Sequence, residues 1–188
     1  MNGGILEAAR DVQEAVTEAG FEFCFIGGLV LQRWGEPRFT QDVDLTLLCP
    51  FGEEKDASRR LAKSLEPRFD GAIEFSAESR VFLGRAENGT PVDIAYGAID
   101  FEKRWVERAG LFNFGGGVAL QTCSAEDLTI MKAFADRSRD WADIEGIILR
   151  QGADLDWSLI EAELKPLLAI RGGMELWERL VDLRNRLT

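Results

Sequence analysis

Residues 42–48 read Asp-Val-Asp-Leu-Thr-Leu-Leu. Clean alternation of polar and apolar residues marks a half-buried β-strand, because successive side chains leave a strand on opposite faces. Asp42, Asp44 and Thr46 therefore share one face, and Val43, Leu45 and Leu47 the other. The apolar face packs inward. Two carboxylates two residues apart stand about 6.5–7 Å apart at Cα and project in parallel. That spacing suits carboxylates shared between divalent cations about 3.5–4 Å apart. Without a cation the two repel, and one tends to stay protonated.

Composition narrows the chemistry further. A chain of 188 residues suits one domain, or one domain with a small helical extension. With 46% hydrophobic residues it is too apolar to be disordered. The net charge of −11 makes it a poor general binder of nucleic acid or of anionic membrane surfaces. A local cluster can still hold one phosphate group. There is no histidine, which excludes Ser-His-Asp and Cys-His machinery and any zinc site built on imidazole. Carboxylates must then hold any metal, which favours Mg²⁺ or Mn²⁺. Cys24, Cys49 and Cys123 are odd in number and form no C-x-x-C, so a reducing, cytoplasmic setting is expected. No segment is long and apolar enough to span a membrane, the uncharged stretch 110–125 being broken by Gly, Asn and Gln. No signal peptide is read at the amino terminus, and no membrane partner is expected.

The coarse pattern is a mixed half followed by a helical half. Helices are expected over 5–19, 29–34, 53–65 and 101–108, and strands over 21–26, 42–48, 72–76, 80–86, 91–96 and 118–122. Asn88-Gly89 supplies a hairpin turn. Ser124-x-x-Asp127 resembles a capping box that opens a helix to about Ala135. Three more helices follow: 140–150, one capped by Asp156 and disturbed at Pro166, and 176–187. The fold class is α+β, divided into a core over 1–122 and a helical region over 123–188.

Three features give the paired acids a context. Gly27-Gly28 follows a strand and precedes a helix, where backbone N–H groups and the helix dipole favour phosphate. A tight turn is the plainer explanation of a glycine pair. Asp93, between Val92 and Ile94 on the return arm of the hairpin, adds a third carboxylate if its strand pairs beside residues 42–48. Taken alone it is an ordinary exposed strand acid. Lys132, followed by Arg137, Arg139, Asp140 and Asp143, offers positive charge for a triphosphate. Its plainer reading is a surface lysine beside a solvated network of arginines and acids.

Together, Gly27-Gly28, Arg38-x-Thr40-x-Asp42-x-Asp44, the Ser124–Lys132 run and Arg139-Asp140-x-x-Asp143 resemble the DNA polymerase beta-like nucleotidyltransferase superfamily. The closer resemblance is to its small bacterial AbiEii-like and minimal nucleotidyltransferase members. It spans about residues 21–152 and implies a mixed sheet flanked by helices, with a carboxy-terminal helical bundle. It also implies transfer of a nucleoside monophosphate from an NTP to a hydroxyl on RNA or protein. Asp42, Asp44 and Asp93 would be catalytic and would hold Mg²⁺ or Mn²⁺. Gly27, Gly28, Arg38, Thr40, Lys132 and Asp140 would serve the nucleotide, with Lys132 neutralising the leaving pyrophosphate. Relatives of this type are paired with antitoxins, so a toxin role with an antitoxin partner is part of the expectation. Many active members have Gly-Ser where this chain has Gly27-Gly28. The competing reading is a non-catalytic nucleotide-binding or protein-interaction module that kept the fold.

Overall fold

The structure is a computed structural model and describes residues 3–187. Its elements are α1 (Gly3–Glu18), β1 (Phe23–Phe25), α2 (Gly27–Trp34), β2 (Val43–Leu48), α3 (Glu54–Leu61), β3 (Glu66–Pro67), α4 (Ala72–Ser79) and β4 (Val81–Arg85). They continue with β5 (Pro91–Gly97), α5 (Asp100–Glu107), β6 (Gly110–Gly115), β7 (Val118–Thr122), α6 (Ala125–Ala135), α7 (Ser138–Gln151), α8 (Trp157–Arg171) and α9 (Glu175–Leu187). The fold is α+β, as expected. The chain divides into two compact units, one of residues 1–29 and 39–123, the other of residues 30–38 and 124–188. Residues 30–38 thus group with the carboxy-terminal helices, a difference from the expected division at 122/123.

The first unit is built on a mixed sheet in the order β3-β4-β5-β2-β1-β7-β6. The pairs β2·β5 and β1·β7 are parallel and the others antiparallel. Its core is the inward face of the alternating strands: Phe25, Val43, Leu45, Leu47, Phe82, Val92 and Ile94 are all fully buried. Helix α1 buries Ala8, Ala9, Val12 and Val16, which recur at helical spacing. Gln13 ties α1 to β7, donating to the Ala119 carbonyl at 2.8 Å and accepting from the Gln121 N–H at 2.9 Å.

Residues 72–76, expected as a strand, begin α4 instead. Ile73 and Phe75 alternate with polar residues, but the buried positions are Ala72 and Ser76, four apart on one helical face. Both are small, which lets α4 come close to α3, and the Ser76 and Ser58 hydroxyls meet at 2.6 Å. Helix α3 ends at Leu61 rather than at 65. Strand β6 was not expected. Its Phe112 and Phe114 are half-buried on one face, and its turn into β7 is carried by Gly115, Gly116 and Gly117, all at positive φ. Helix α8 runs through Pro166 to Arg171 without ending there.

Arg80 locks the far end of this unit. It ends α4 in the left-handed region at φ 56°, where glycine is the usual residue. Its guanidinium explains the choice. It pairs with buried Glu54, and Nη2 donates to the Cys49 and Tyr96 carbonyls at 2.7 and 2.9 Å. Burial pushes the nearby Cys49 thiol up to about 11, so it stays protonated and inert at neutral pH.

In the second unit, α6–α9 pack around Leu128, Ile130, Ile144, Ile147, Ile160, Leu164, Leu168 and Leu180. Ser124 caps α6 by accepting from the Asp127 N–H at 3.0 Å, and Asp156 caps α8 through the Ser158 and Leu159 N–H groups, as read from sequence. Residues 30–38 join this core through buried Val30 and Leu31. Arg150 and Gln151 hold the segment, donating to the Gly35 and Trp34 carbonyls at 2.7 Å each.

Arg80→Ala should leave Glu54 buried without its counter-charge. Breaking a buried pair on one side costs about 3–5 kcal/mol. The expected outcome is a fall in Tm of about 10 °C, read by calorimetry. Arg80→Lys, which keeps the charge but not the forked donors, should recover part of it.

Candidate active site

The site of the first unit is a row across the sheet. In the parallel pairing of β2 with β5, Asp44 stands directly opposite Asp93. Residues opposite one another point to the same face, and neighbouring strands lie about 4.8 Å apart. The two carboxylates are therefore neighbours on one face, as the sequence suggested. Asp42 lies one residue ahead of β2 and continues its alternation, with Asp42 and Asp44 half-buried and Val43 and Leu45 buried. The Thr40 hydroxyl donates to Asp42 Oδ1 at 2.8 Å, which fixes the approach to the strand. The same face closes at Thr46, which is buried, so the acids line its accessible end.

Gly27 fits against Asp44. The strand β1 ends with the Ile26 N–H donating to the Asp44 carbonyl at 2.9 Å. Gly27 then opens α2 at φ 71°, and a Cβ there would fall 2.2 Å from Asp44 Oδ2. This glycine is required twice, for its backbone conformation and for the space taken by the carboxylate. Gly27 and Gly28 form the first turn of α2 rather than a loop before it, so their N–H groups belong to a helix N-terminus beside Asp44.

Asp93 is engaged by Arg68, just after β3. Arg68 Nη2 pairs with Asp93 Oδ1 and also donates to the Val92 carbonyl at 3.1 Å. Among the described residues no group of three or more acidic or cysteine side chains is gathered closely enough to hold a metal ion. The donor set on the face is nevertheless all carboxylate oxygen, the chemistry that Mg²⁺ and Mn²⁺ prefer.

The remaining candidates form a charged cluster in the second unit. Lys132 is not a surface lysine: it is 5% exposed. Its ammonium donates to Asp143 Oδ2 at 2.6 Å and to Asp140 Oδ1 at 3.4 Å. Arg38 grips Asp143 with two donors, at 2.9 and 3.2 Å. Arg137 does the same for Asp140, at 2.5 and 3.3 Å. Burial alone would raise the Asp140 carboxyl. The Arg137 guanidinium and the Lys132 ammonium outweigh it and hold the group below its ordinary 3.8. Three cations, Lys132, Arg38 and Arg137, thus converge on two carboxylates, Asp140 and Asp143.

A model of the family described as "Nucleotidyl transferase AbiEii toxin, Type IV TA system" matches residues 15–187. The chain belongs to this family. Its structure is similar to that of the antibiotic-resistance factor ANT(2'')-Ia, with a TM-score of 0.57 and 14% identity over 95% of this chain and 99% of that one. It is also similar to an antigenic nucleotidyltransferase-like protein from Paracoccidioides brasiliensis, with a TM-score of 0.53 and 16% identity over 93% and 91% of the two chains. At such identities the likeness shows the fold. No curated protein matches the chain. By family it is a toxin-type nucleotidyltransferase.

Within this AbiEii-family chain, the structure brings Gly27, Gly28, Asp42, Asp44, Asp93 and Thr40 onto one region of the first unit. Arg38, Lys132 and Asp140 belong to the cluster of the second. Sequence reasoning missed Arg68, which carries no motif and reaches Asp93 from a separate strand connection. It also treated Asp143 as background, although Asp143 binds both Arg38 and Lys132. The i,i+3 spacing of Asp140 and Asp143 was the available signal.

Two outcomes are expected. Gly27→Ala should destabilise the protein by about 1–3 kcal/mol in urea unfolding, since the new methyl group must displace Asp44 or the helix start. Lys132→Met should cost about 3 kcal/mol at pH 7, because Asp140 and Asp143 lose a buried counter-charge. Asp140 has a depressed pKa, so its ionic contribution is present above pH 3.8 and is lost as pH falls through the lower folded value. The stability gap between wild type and Lys132→Met should therefore hold at pH 5–8 and shrink in acid.

Proposed function

We propose that the chain transfers a nucleoside monophosphate from an NTP to a hydroxyl of an RNA or protein acceptor, as the toxin of a toxin–antitoxin pair. The reading is carried by the in-register pair Asp44–Asp93, with Gly27 packed against Asp44. A parallel strand pair with acids in one row, a preceding acid at 42 and a helix N-terminus beside them form a surface for a polyphosphate and its cations.

In the reaction, the acceptor oxygen forms a bond to the α-phosphorus. The bond from that phosphorus to the bridging oxygen of the β-phosphate breaks, and pyrophosphate leaves. Asp42, Asp44 and Asp93 would hold Mg²⁺ or Mn²⁺, which supplies Lewis-acid stabilisation of the charge that builds on the phosphoryl oxygens. Thr40 holds Asp42 in place for this task. The Gly27 and Gly28 N–H groups donate to phosphate oxygens, aided by the α2 dipole. Asp93, as one of these ligands, would lower the barrier to deprotonating the acceptor hydroxyl, whose proton passes to solvent. For Lys132, Arg38 and Asp140 the family resemblance supports a role on the nucleotide side, and within the second unit they form one ion-paired cluster.

The test is label transfer. With Mg²⁺ or Mn²⁺ and each labelled NTP, the wild-type chain should label a macromolecule in a mixture of cell RNA and protein. Asp42→Asn should abolish the transfer, since an amide is a far weaker ligand than a carboxylate. Its half-exposed position should leave the Tm within a few degrees of wild type. Binding of NTP without transfer to any acceptor would establish the non-catalytic module instead.

A further inference from the structure

We propose that Arg68 is a fixed counter-charge to the third carboxylate, one that competes with a divalent cation for Asp93. This rests on the reading of Asp42, Asp44 and Asp93 as metal ligands given above.

The geometry is a transverse row. The Arg68 N–H donates to the Leu83 carbonyl at 2.9 Å, Leu83 stands opposite Asp93, and Asp93 stands opposite Asp44. The Arg68 side chain reaches from beyond β4 to the third acid of the row. It does not depend on Asp93 to stay there. The same Nη2 donates to the Val92 carbonyl at 3.1 Å and the Gly84 carbonyl at 3.4 Å, so the backbone of β4 and β5 anchors it. The neighbouring residue at this crossing is Gly84, where a Cβ would come within 2.8 Å of the Phe82 ring. Three acceptors share one Nη2, whereas Nε is buried and has no partner. A guanidinium placed for Asp93 alone would use its two-pronged edge, as Arg38 does on Asp143. Arg68 instead leaves its Nε unused and holds its charge at the acid row.

Two consequences follow from a permanent positive charge beside a metal ligand. Without metal, it offsets the repulsion of clustered carboxylates and stabilises the fold. With metal, it repels the cation and occupies an oxygen that the cation needs, so affinity falls. The phosphates of a nucleotide restore the missing negative charge. Arg68 thus favours loading of the third carboxylate together with nucleotide over loading by the ion alone.

The experiment measures Mn²⁺ binding by electron paramagnetic resonance, with Tm measured in parallel with and without Mn²⁺. The proteins are wild type, Arg68→Gln, Arg68→Lys and Asp44→Asn. Arg68→Gln keeps a hydrogen-bond donor but removes the charge. It should lower the metal-free Tm, tighten Mn²⁺ binding on the order of tenfold and show a larger Mn²⁺-induced Tm shift than wild type. Arg68→Lys, which keeps the charge, should bind Mn²⁺ within about threefold of wild type; if Arg68→Gln does not fold, a tighter Arg68→Lys overturns the proposal. Unchanged or weaker Mn²⁺ binding in Arg68→Gln also overturns it and makes Arg68 an ordinary positioning residue. The underlying metal-site reading fails separately, if Asp44→Asn binds Mn²⁺ as wild type does.

Discussion

The acid face depends on one piece of backbone pairing, the parallel register of β2 on β5. No hairpin can make a parallel pair, so the chain spends residues 49–90 on a crossover holding α3, β3, α4 and β4. The register is fixed from the other face. Val92 and Ile94 are fully buried, as are Val43 and Leu45 opposite them. A slip of one residue would turn these side chains to the acidic side and Asp93 into the core. The hydrophobic core therefore sets the spacing of the carboxylates.

Charge is placed by the same economy of position. The chain is strongly acidic, and four of its buried or half-buried acids are matched by cations: Glu54 by Arg80, Asp93 by Arg68, Asp140 by Arg137 and Lys132, Asp143 by Arg38 and Lys132. Such pairs add little net stability against an apolar alternative, but losing one member is costly. They are sensitive points of the structure even where they are not part of the acid row.

Much of this was legible in the chain. The 42–48 alternation, the Asn88-Gly89 hairpin and the Ser124 and Asp156 caps are local signals, and each appears where it was read. The family resemblance rested on motifs whose spacing survives in the sequence. Other features were set by tertiary contacts. Residues 72–76 alternate like a strand, but their helix forms because Ala72 and Ser76 allow close packing on α3. Lys132 has the sequence context of a surface lysine, and its burial follows from two acids on the next helix and an arginine a hundred residues away. Arg68 gives no local signal, since its partner is chosen by strand order. The reason for Gly27 became visible only when the Asp44 carboxylate was found in the space of its missing Cβ.

The membership of residues 30–38 has a consequence for how the molecule comes into being. Val30 and Leu31 emerge early in synthesis, yet their core is completed by helices that begin at residue 125. Arg38 waits for Asp143 in the same way. Loop closure over such separations is slow and must precede the contacts that reward it. The core of the second unit therefore cannot be complete until the chain beyond residue 125 has been made. Cutting the chain between 122 and 123 would deprive the carboxy-terminal fragment of residues 30–38 and leave Val30 and Leu31 on the other fragment without the helices that complete their core, so the molecule has two cores but no single point at which it can be divided.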